Sequence, residues 1–213
     1  MATSNADAVR RSRITTHDVV RVYVCDMQEK FAKAITGFDH VAHAQSVLIR
    51  GIAAMDDERT HAVYCTEQAP EKLGKTVQVI EDALKDTYGF TVAPKTRFSM
   101  IGADDVDKSS EHVHGARTHH IVTGIEAHVC VLQTVLDLLA VDGVVHVCVD
   151  AVSSIRLEDR AVALRRMESA GAYLTTTESV LFEMLGDANS KHFKAVSACV
   201  RAKRPETPPL PSI

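Results

Sequence analysis

The run GVVHVCVDA at 143–151 holds seven residues without a formal charge before Asp150. So short an apolar run, rich in β-branched residues, reads as a strand buried on both faces, and such strands need helices above and below them. The rest of the chain repeats the demand. DVVRVYVCD reads as a first strand ending at Asp26, and HAVYCT, FTVAP, HHIVTG and AYLTTTE read as further strands. Helical patterns lie between them. Over 38–55, Val41, Ala44, Val47, Leu48, Ile52 and Met55 recur at helical spacing; 77–84, 130–142, 157–170, 179–185 and 191–203 follow, with Gly171 closing the fourth of these. Strands alternating with helices predict βαβ units and a single doubly wound α/β sheet.

At 213 residues the chain fits one domain, placed at 17–203, with a solvated flexible segment at 1–16 and a proline-rich tail at 204–213. Trp is absent and aromatic residues are 5%, so Val, Ala and Leu must fill the interior. ADDVDKSSEHVHG reads as a polar surface helix closed by Gly115, and TEQAPEKLGKT as a loop. A net charge of −4 argues against a broad basic face for nucleic acid. The five cysteines are scattered without a CxxC pair, which suits a reducing, intracellular compartment, cytoplasmic or mitochondrial. Arg10, Arg11 and Arg13 leave a mitochondrial presequence as the alternative to a plain solvated terminus. No apolar run approaches the roughly 20 residues that span a bilayer, so no membrane partner is expected.

In doubly wound sheets, ligands bind outside the carboxyl ends of the strands. That rule selects Asp26, Thr66, Glu67, Lys95 and the segment 124–130. Among them Asp26, Lys95 and Cys130 make a chemical set. Cysteine attacks as thiolate, and a helix N-terminus or a neighbouring ammonium favours the charged sulfur. Asp26 could take the thiol proton and return it to a leaving group. Backbone N–H groups at the turn into the helix could hold an oxyanion.

The motifs CDMQEKF, YCTEQAPEKLGKT, PKTRFSM, TGIEAHVCVLQT, VDAVSS and AGAYLTTTES stand in that order along the chain. In this the sequence resembles the isochorismatase-like cysteine hydrolases, and within them the eukaryotic isochorismatase-domain group. The resemblance implies a three-layer α/β/α, Rossmann-like fold with a central, mostly parallel sheet. It implies Asp26 as general base, Lys95 as the cation beside the thiol and Cys130 as nucleophile. A cis peptide at Ile125–Glu126 would turn the Glu126 amide, with that of Cys130, toward the oxyanion. A homo-oligomer, dimer or tetramer, is also implied, and the substrate would be a small amide, carbamoyl or related acyl compound. Metal-dependent nicotinamidases of this superfamily carry histidine ligands where this chain reads CTEQAPEKLGKT, so neither a metal nor an organic cofactor is expected.

Phe31, Glu67, Phe98, Ile125 and His128 are the candidates for the substrate-proximal wall, against plain packing. Cys25, Cys65, Cys148 and Cys199 read as inert packing residues. His112, His114, His119 and His120 cluster without fixed ligand spacing, which reads as solvated surface. Two further readings stay open: a protein of this fold with a binding role and an idle triad, and a mitochondrion-associated ribonuclease.

Overall fold

The computed structural model describes residues 5–57, 61–106, 117–206 and 210. Six strands form one sheet: β1 (Val19–Cys25), β2 (Ala62–Gln68), β3 (Phe90–Lys95), β4 (Thr118–Gly124), β5 (Val144–Val152) and β6 (Tyr173–Thr175). Their order is β3-β2-β1-β4-β5-β6. Every neighbouring pair is parallel, so the sheet expected to be mostly parallel is wholly so among the described residues. The helices are α1 (Asn5–Ser12), α2 (Phe38–Ala53), α3 (Pro70–Leu73), α4 (Gln78–Leu84), α5 (Leu132–Leu139), α6 (Leu157–Ser169), α7 (Thr177–Leu185) and α8 (Phe193–Val200).

Period-two alternation in the strands splits the core into two layers. Val20, Val22 and Val24 of β1 face the layer covered by α2, α4, α7 and α8, where Cys65 and Cys148 also lie. Tyr23 and Cys25 face the other layer, with Cys130, Val131 and Val135, under α5 and α6. The result is the expected three-layer sandwich. Helix α2 shows why its sequence works: Phe38, Val41, Ala42, Gln45, Leu48, Ile49 and Ile52 fall on one buried stripe. Gly51 lets α2 lie against α7, since a Cβ there would come within 2.5 Å of Leu181.

Several expectations are revised. The helix read from Cys130 to 142 is two elements, a π-helical turn over Ala127–Val131 followed by α5. The segment 5–16 is not a plain solvated terminus. It carries α1, whose Arg11 donates to the Asp142 carbonyl (2.9 Å), and it buries Ile14. Arg11, which reads as solvated, is used to cap one backbone carbonyl of a neighbouring turn. In the proline-rich tail, Leu210 packs beside Gly37 on the chain's own core. The polar helix expected at 103–115, with His112 and His114, lies mostly outside the described residues.

His119 and His120 overturn the surface reading of the histidine cluster, for both are 0% exposed inside β4. A central strand covered on both faces must pair its polar side chains with other buried polar groups. His119 Nδ1 pairs with His146 Nε2 at 2.9 Å, and His120 Nδ1 with the Tyr23 hydroxyl at 2.9 Å. Burial pushes the His119 pKa down to about 4 and that of His146 down to about 3, so both rings are neutral at physiological pH.

Candidate active site

Strand order reverses between β1 and β4, the position where an open α/β sheet parts at its carboxyl edge. Asp26 stands just past β1 with a left-handed backbone (φ 51°), anchored by its own N–H to the Thr66 carbonyl (3.2 Å). Its Oδ1 accepts from the Thr66 hydroxyl at 2.8 Å and its Oδ2 from Lys95 Nζ at 2.7 Å. Lys95 ends β3 and reaches across β2 to lie 3.7 Å from Cys130 Sγ. The three residues, distant in sequence, therefore meet at one point, with Asp26 1%, Lys95 6% and Cys130 7% exposed.

The ammonium is held from several sides. Besides Asp26 it donates to Gln68 Oε1 (2.7 Å) and the carbonyls of Arg97 (3.1 Å) and Phe98 (3.0 Å). Gln68 is itself fixed, because Gln28 accepts from its N–H (2.8 Å) and donates to its carbonyl (3.1 Å). The loop carrying those carbonyls is pinned to the Cys130 turn: Thr134 Oγ1 accepts from Met100 N (2.9 Å) and donates to Cys130 O (2.8 Å). Thr66, Gln68 and Thr134 were not singled out as site residues on sequence grounds beyond the position of Thr66 at a strand end. One signal existed for Gln68: residues i and i+2 of a strand share a face, so whatever Thr66 faces, Gln68 faces too.

Burial pushes the Asp26 carboxyl above its ordinary value, against the pull of Lys95 and Thr66. Burial also works against the Lys95 charge, yet the acidic groups of Cys25, Asp26 and Cys130 around it hold its pKa above the ordinary lysine value. Both partners thus move upward. The ammonium is the fixed charge of the pair, and the carboxylate is the member with appetite for a proton.

The link from β4 to the Cys130 turn depends on Gly124. Its φ is +113°, and a Cβ there would lie 2.3 Å from the Cys25 carbonyl oxygen. The following Ile125–Glu126 peptide is cis. Ile125 N donates to Cys25 O (2.9 Å) and Ala127 N to Ser153 O (2.8 Å), while the intervening Glu126 N–H makes no backbone hydrogen bond among the described residues. The Glu126 carboxylate accepts from Ile155 N at 3.0 Å and so faces away from chemistry.

The other candidate wall residues divide. Ile125 is fully buried, and Phe31 packs against the α2-side core. Glu67 clamps the following loop, its Oε1 accepting from Thr76 N (2.7 Å) and Thr76 Oγ1 (2.9 Å). His128 pairs with Ser154 Oγ at 3.0 Å. Phe98 projects outward, 52% exposed, beside the carbonyl that holds Lys95. A cavity of about 400 Å³ opens at Lys95, between Pro70, Glu71, Arg97 and Asp104. A larger one, about 460 Å³, lies around His43, Asp150, Arg160 and Arg204; neither cavity has a cysteine in its wall, and the smaller one meets the site through Lys95.

Cys25, Asp26 and Cys130 offer donor atoms within 4.8 Å of one another, a set that could ligate a soft metal. Lys95 Nζ, however, sits against both Asp26 and Cys130. An ammonium already supplies the positive charge there, and a metal ion would have to displace it.

Comparison with known proteins identifies the family and its fold. A model of the isochorismatase domain matches residues 22–179. Isochorismatase family protein 1B of Dictyostelium discoideum is 34% identical over 90% of this chain and 91% of its own length. A secreted isochorismatase effector, Isc1, of Phytophthora sojae is 34% identical over 94% and 93%. A solved structure named MAR1 ribonuclease, from Caenorhabditis elegans, superposes with a TM-score of 0.78 at 35% identity, covering 94% of this chain and all of that one. The chain belongs to the isochorismatase family, in its eukaryotic branch, and has that family's hydrolase fold.

Proposed function

We propose that the protein is a cysteine hydrolase that cleaves a small amide, carbamoyl or related acyl substrate through a thioester on Cys130. The observation that carries the reading is the contact of one buried ammonium with both a carboxylate, at 2.7 Å, and a thiol sulfur, at 3.7 Å. Asp26 takes the thiol proton as Cys130 Sγ attacks the acyl carbon. The carbonyl oxygen, gaining negative charge, is met by the N–H groups of Glu126 and Cys130. The carboxyl of Asp26 then protonates the departing nitrogen, and the acyl group remains on sulfur. Asp26, ionised again, activates water against the thioester, and Cys130 leaves as thiolate beside Lys95. Every proton passes through Asp26, the group whose affinity for one is raised by burial. The mechanism calls on neither a metal nor an organic cofactor.

The test is a screen of small amides, carbamoyl compounds and esters with acyl adducts trapped and mapped by mass spectrometry. An adduct on Cys130, and loss of turnover in Cys130→Ala, are expected. Equal turnover by wild type and Cys130→Ala on every substrate found would refute the reading, as would a Cys130 no more reactive than the other four thiols toward a thiol probe.

A ribonuclease role is the second reading, favoured by the name of the 35% identical nematode structure. Against it stand a net charge of −4 and a site whose cation is already ion-paired. RNA affinity falling steeply with salt would favour it. Self-association belongs to the same proposal and is supported by exposed Phe90 and Val92 on the edge strand β3. No helix among the described residues is long and apolar enough to cross a membrane.

A further inference from the structure

The mechanism above leaves one thiol at the centre of the site unused. Cys25, the last residue of β1, is fully buried and places its sulfur within 4.8 Å of Cys130 Sγ and 3.9 Å from Asp26 Oδ2. The backbone fixes it there: Cys25 pairs in register with Gly124, and its carbonyl accepts from Ile125 N, in the strand that delivers Cys130. The missing side chain of Gly124 is what admits it, since a Cβ at that position would stand 2.6 Å from Cys25 Cβ. Cys25 is also the single cysteine in the same core layer as Cys130. Cys65 and Cys148 belong to the layer across the sheet, and Cys199 lies on α8.

We propose that Cys25 is a resolving thiol, and that hydroperoxide oxidants reaching Cys130 convert the pair into a Cys25–Cys130 disulfide that caps the nucleophile reversibly. The inference rests on Cys130 being the reactive thiol, as in the proposed function, and not on the identity of the acyl substrate. Exposure sets the order of events. Cys130 keeps 7% of its residue surface exposed and Cys25 none, so an oxidant meets Cys130 first and Cys25 reacts only within the protein.

The steps balance. Cys130 gives its proton to Asp26 and attacks one oxygen of the hydroperoxide as thiolate; the O–O bond breaks, Cys130 becomes a sulfenic acid, and the hydroxide or alkoxide leaves as water or an alcohol with the proton returned by Asp26. Cys25 then gives its proton to Asp26 and attacks the Cys130 sulfur. An S–S bond forms, the S–O bond breaks, and the hydroxide leaves as water with the proton returned by Asp26. Two thiols lose two electrons and two protons, and the peroxide is reduced. Alone, the sulfenic acid would climb to the sulfinic state, from which a thiol reductant does not recover it. Burial and its acidic neighbours hold the Cys25 pKa well above its ordinary value, so it stays a thiol until Asp26 can receive its proton.

The experiment treats the reduced full-length chain with limiting hydrogen peroxide, blocks remaining thiols under denaturing conditions, and maps peptides by mass spectrometry. A parallel sample is alkylated with iodoacetamide first, to establish that Cys130 is reactive. Wild type should lose two hydrogens, yield the Cys25–Cys130 linked peptide, and regain alkylatable Cys130 on addition of dithiothreitol. Cys25→Ser, and Cys25→Ala should the serine variant fold poorly, should instead gain oxygens on Cys130, with recovery by dithiothreitol at least about tenfold lower. Peroxide producing sulfinic Cys130 in wild type while Cys25 remains alkylatable overturns the inference and leaves the hydrolase reading standing. A link from Cys130 to any other cysteine, or equal recovery in wild type and variant, also overturns it. Cys130 inert to both iodoacetamide and peroxide brings down both readings together.

Discussion

Replacing Lys95 by Met keeps the apolar bulk of the stem and removes one buried charge. The Lys95 and Asp26 side chains are each 2% exposed with 2.7 Å between Nζ and Oδ2, so the substitution strands a carboxylate where water cannot reach it. Breaking a buried pair from one side costs about 3–5 kcal/mol. For a domain of this size each kcal/mol moves Tm by roughly 2–4 °C, giving a fall of about 6–20 °C. The pH dependence carries the signature. Burial already pushes the Asp26 carboxyl up, and without the ammonium it binds its proton more tightly still. The native state then holds a proton that the unfolded chain releases, so stability falls as pH rises through the native pKa. The deficit of Lys95→Met should accordingly be larger at pH 7.5 than at pH 5. Removing the carboxylate as well, in Asp26→Asn/Lys95→Met, should recover part of the loss. About 1–3 kcal/mol should remain, because Gln68 Oε1 and the Arg97 and Phe98 carbonyls have lost their donor. Thermal melts and urea denaturation followed by circular dichroism at both pH values measure all of this. A single variant as stable as wild type at pH 7.5, or a double variant no better than the single, would show that the pair is not the buried ion pair described.

Two further predictions concern positions outside the triad. Gly124→Ala should lower stability by about 3 kcal/mol or more, because its Cβ meets the Cys25 backbone at a positive φ. Gly171→Ala shares the positive φ but meets nothing within 4 Å, so its loss should be about 1 kcal/mol; thermal melts that rank the two the other way refute the close-approach argument. For the histidine pair, pKa values pushed down from 6.5 to about 4 and about 3 mean that the unfolded chain binds protons the native state refuses, so stability should fall as pH drops below 6.5. His146→Phe keeps the ring against Tyr173 and removes one such site, so its stability should decline less steeply between pH 6.5 and 4.5; parallel curves would contradict the assignment.

The strands and α2 were legible because burial writes a period into the sequence, and the site because strand ends in a doubly wound sheet converge at one edge. Asp26, Lys95 and Cys130 each sit where that rule points. Partnerships across the fold leave no such trace. Gln68 and Lys95 are 27 positions apart, and no local pattern says that an amide will hold an ammonium. Cys25 reads as one more small apolar residue of β1 until Gly124 brings it against Cys130. His119 and His120 read as solvated because they stand at a strand start, straight after a polar stretch, whereas their neighbours in space are Tyr23 and His146. Helix α1 escaped for a related reason: its docking partners, the Asp142 carbonyl and the Arg117 side chain, lie more than 100 positions away.

The crowding around Lys95 settles a question of chemoselectivity. An ammonium has three protons to give. This one faces four oxygens, from Asp26, Gln68, Arg97 and Phe98, as well as a sulfur. An amine becomes a nucleophile only by shedding a proton and baring its lone pair, and here every proton is claimed before any electrophile arrives. Aldehydes and activated esters should therefore mark lysines on the outer surface and pass residue 95 by. In the proposed chemistry the pocket separates charge from reactivity, with sulfur as the atom that forms bonds and nitrogen as the one that holds charge.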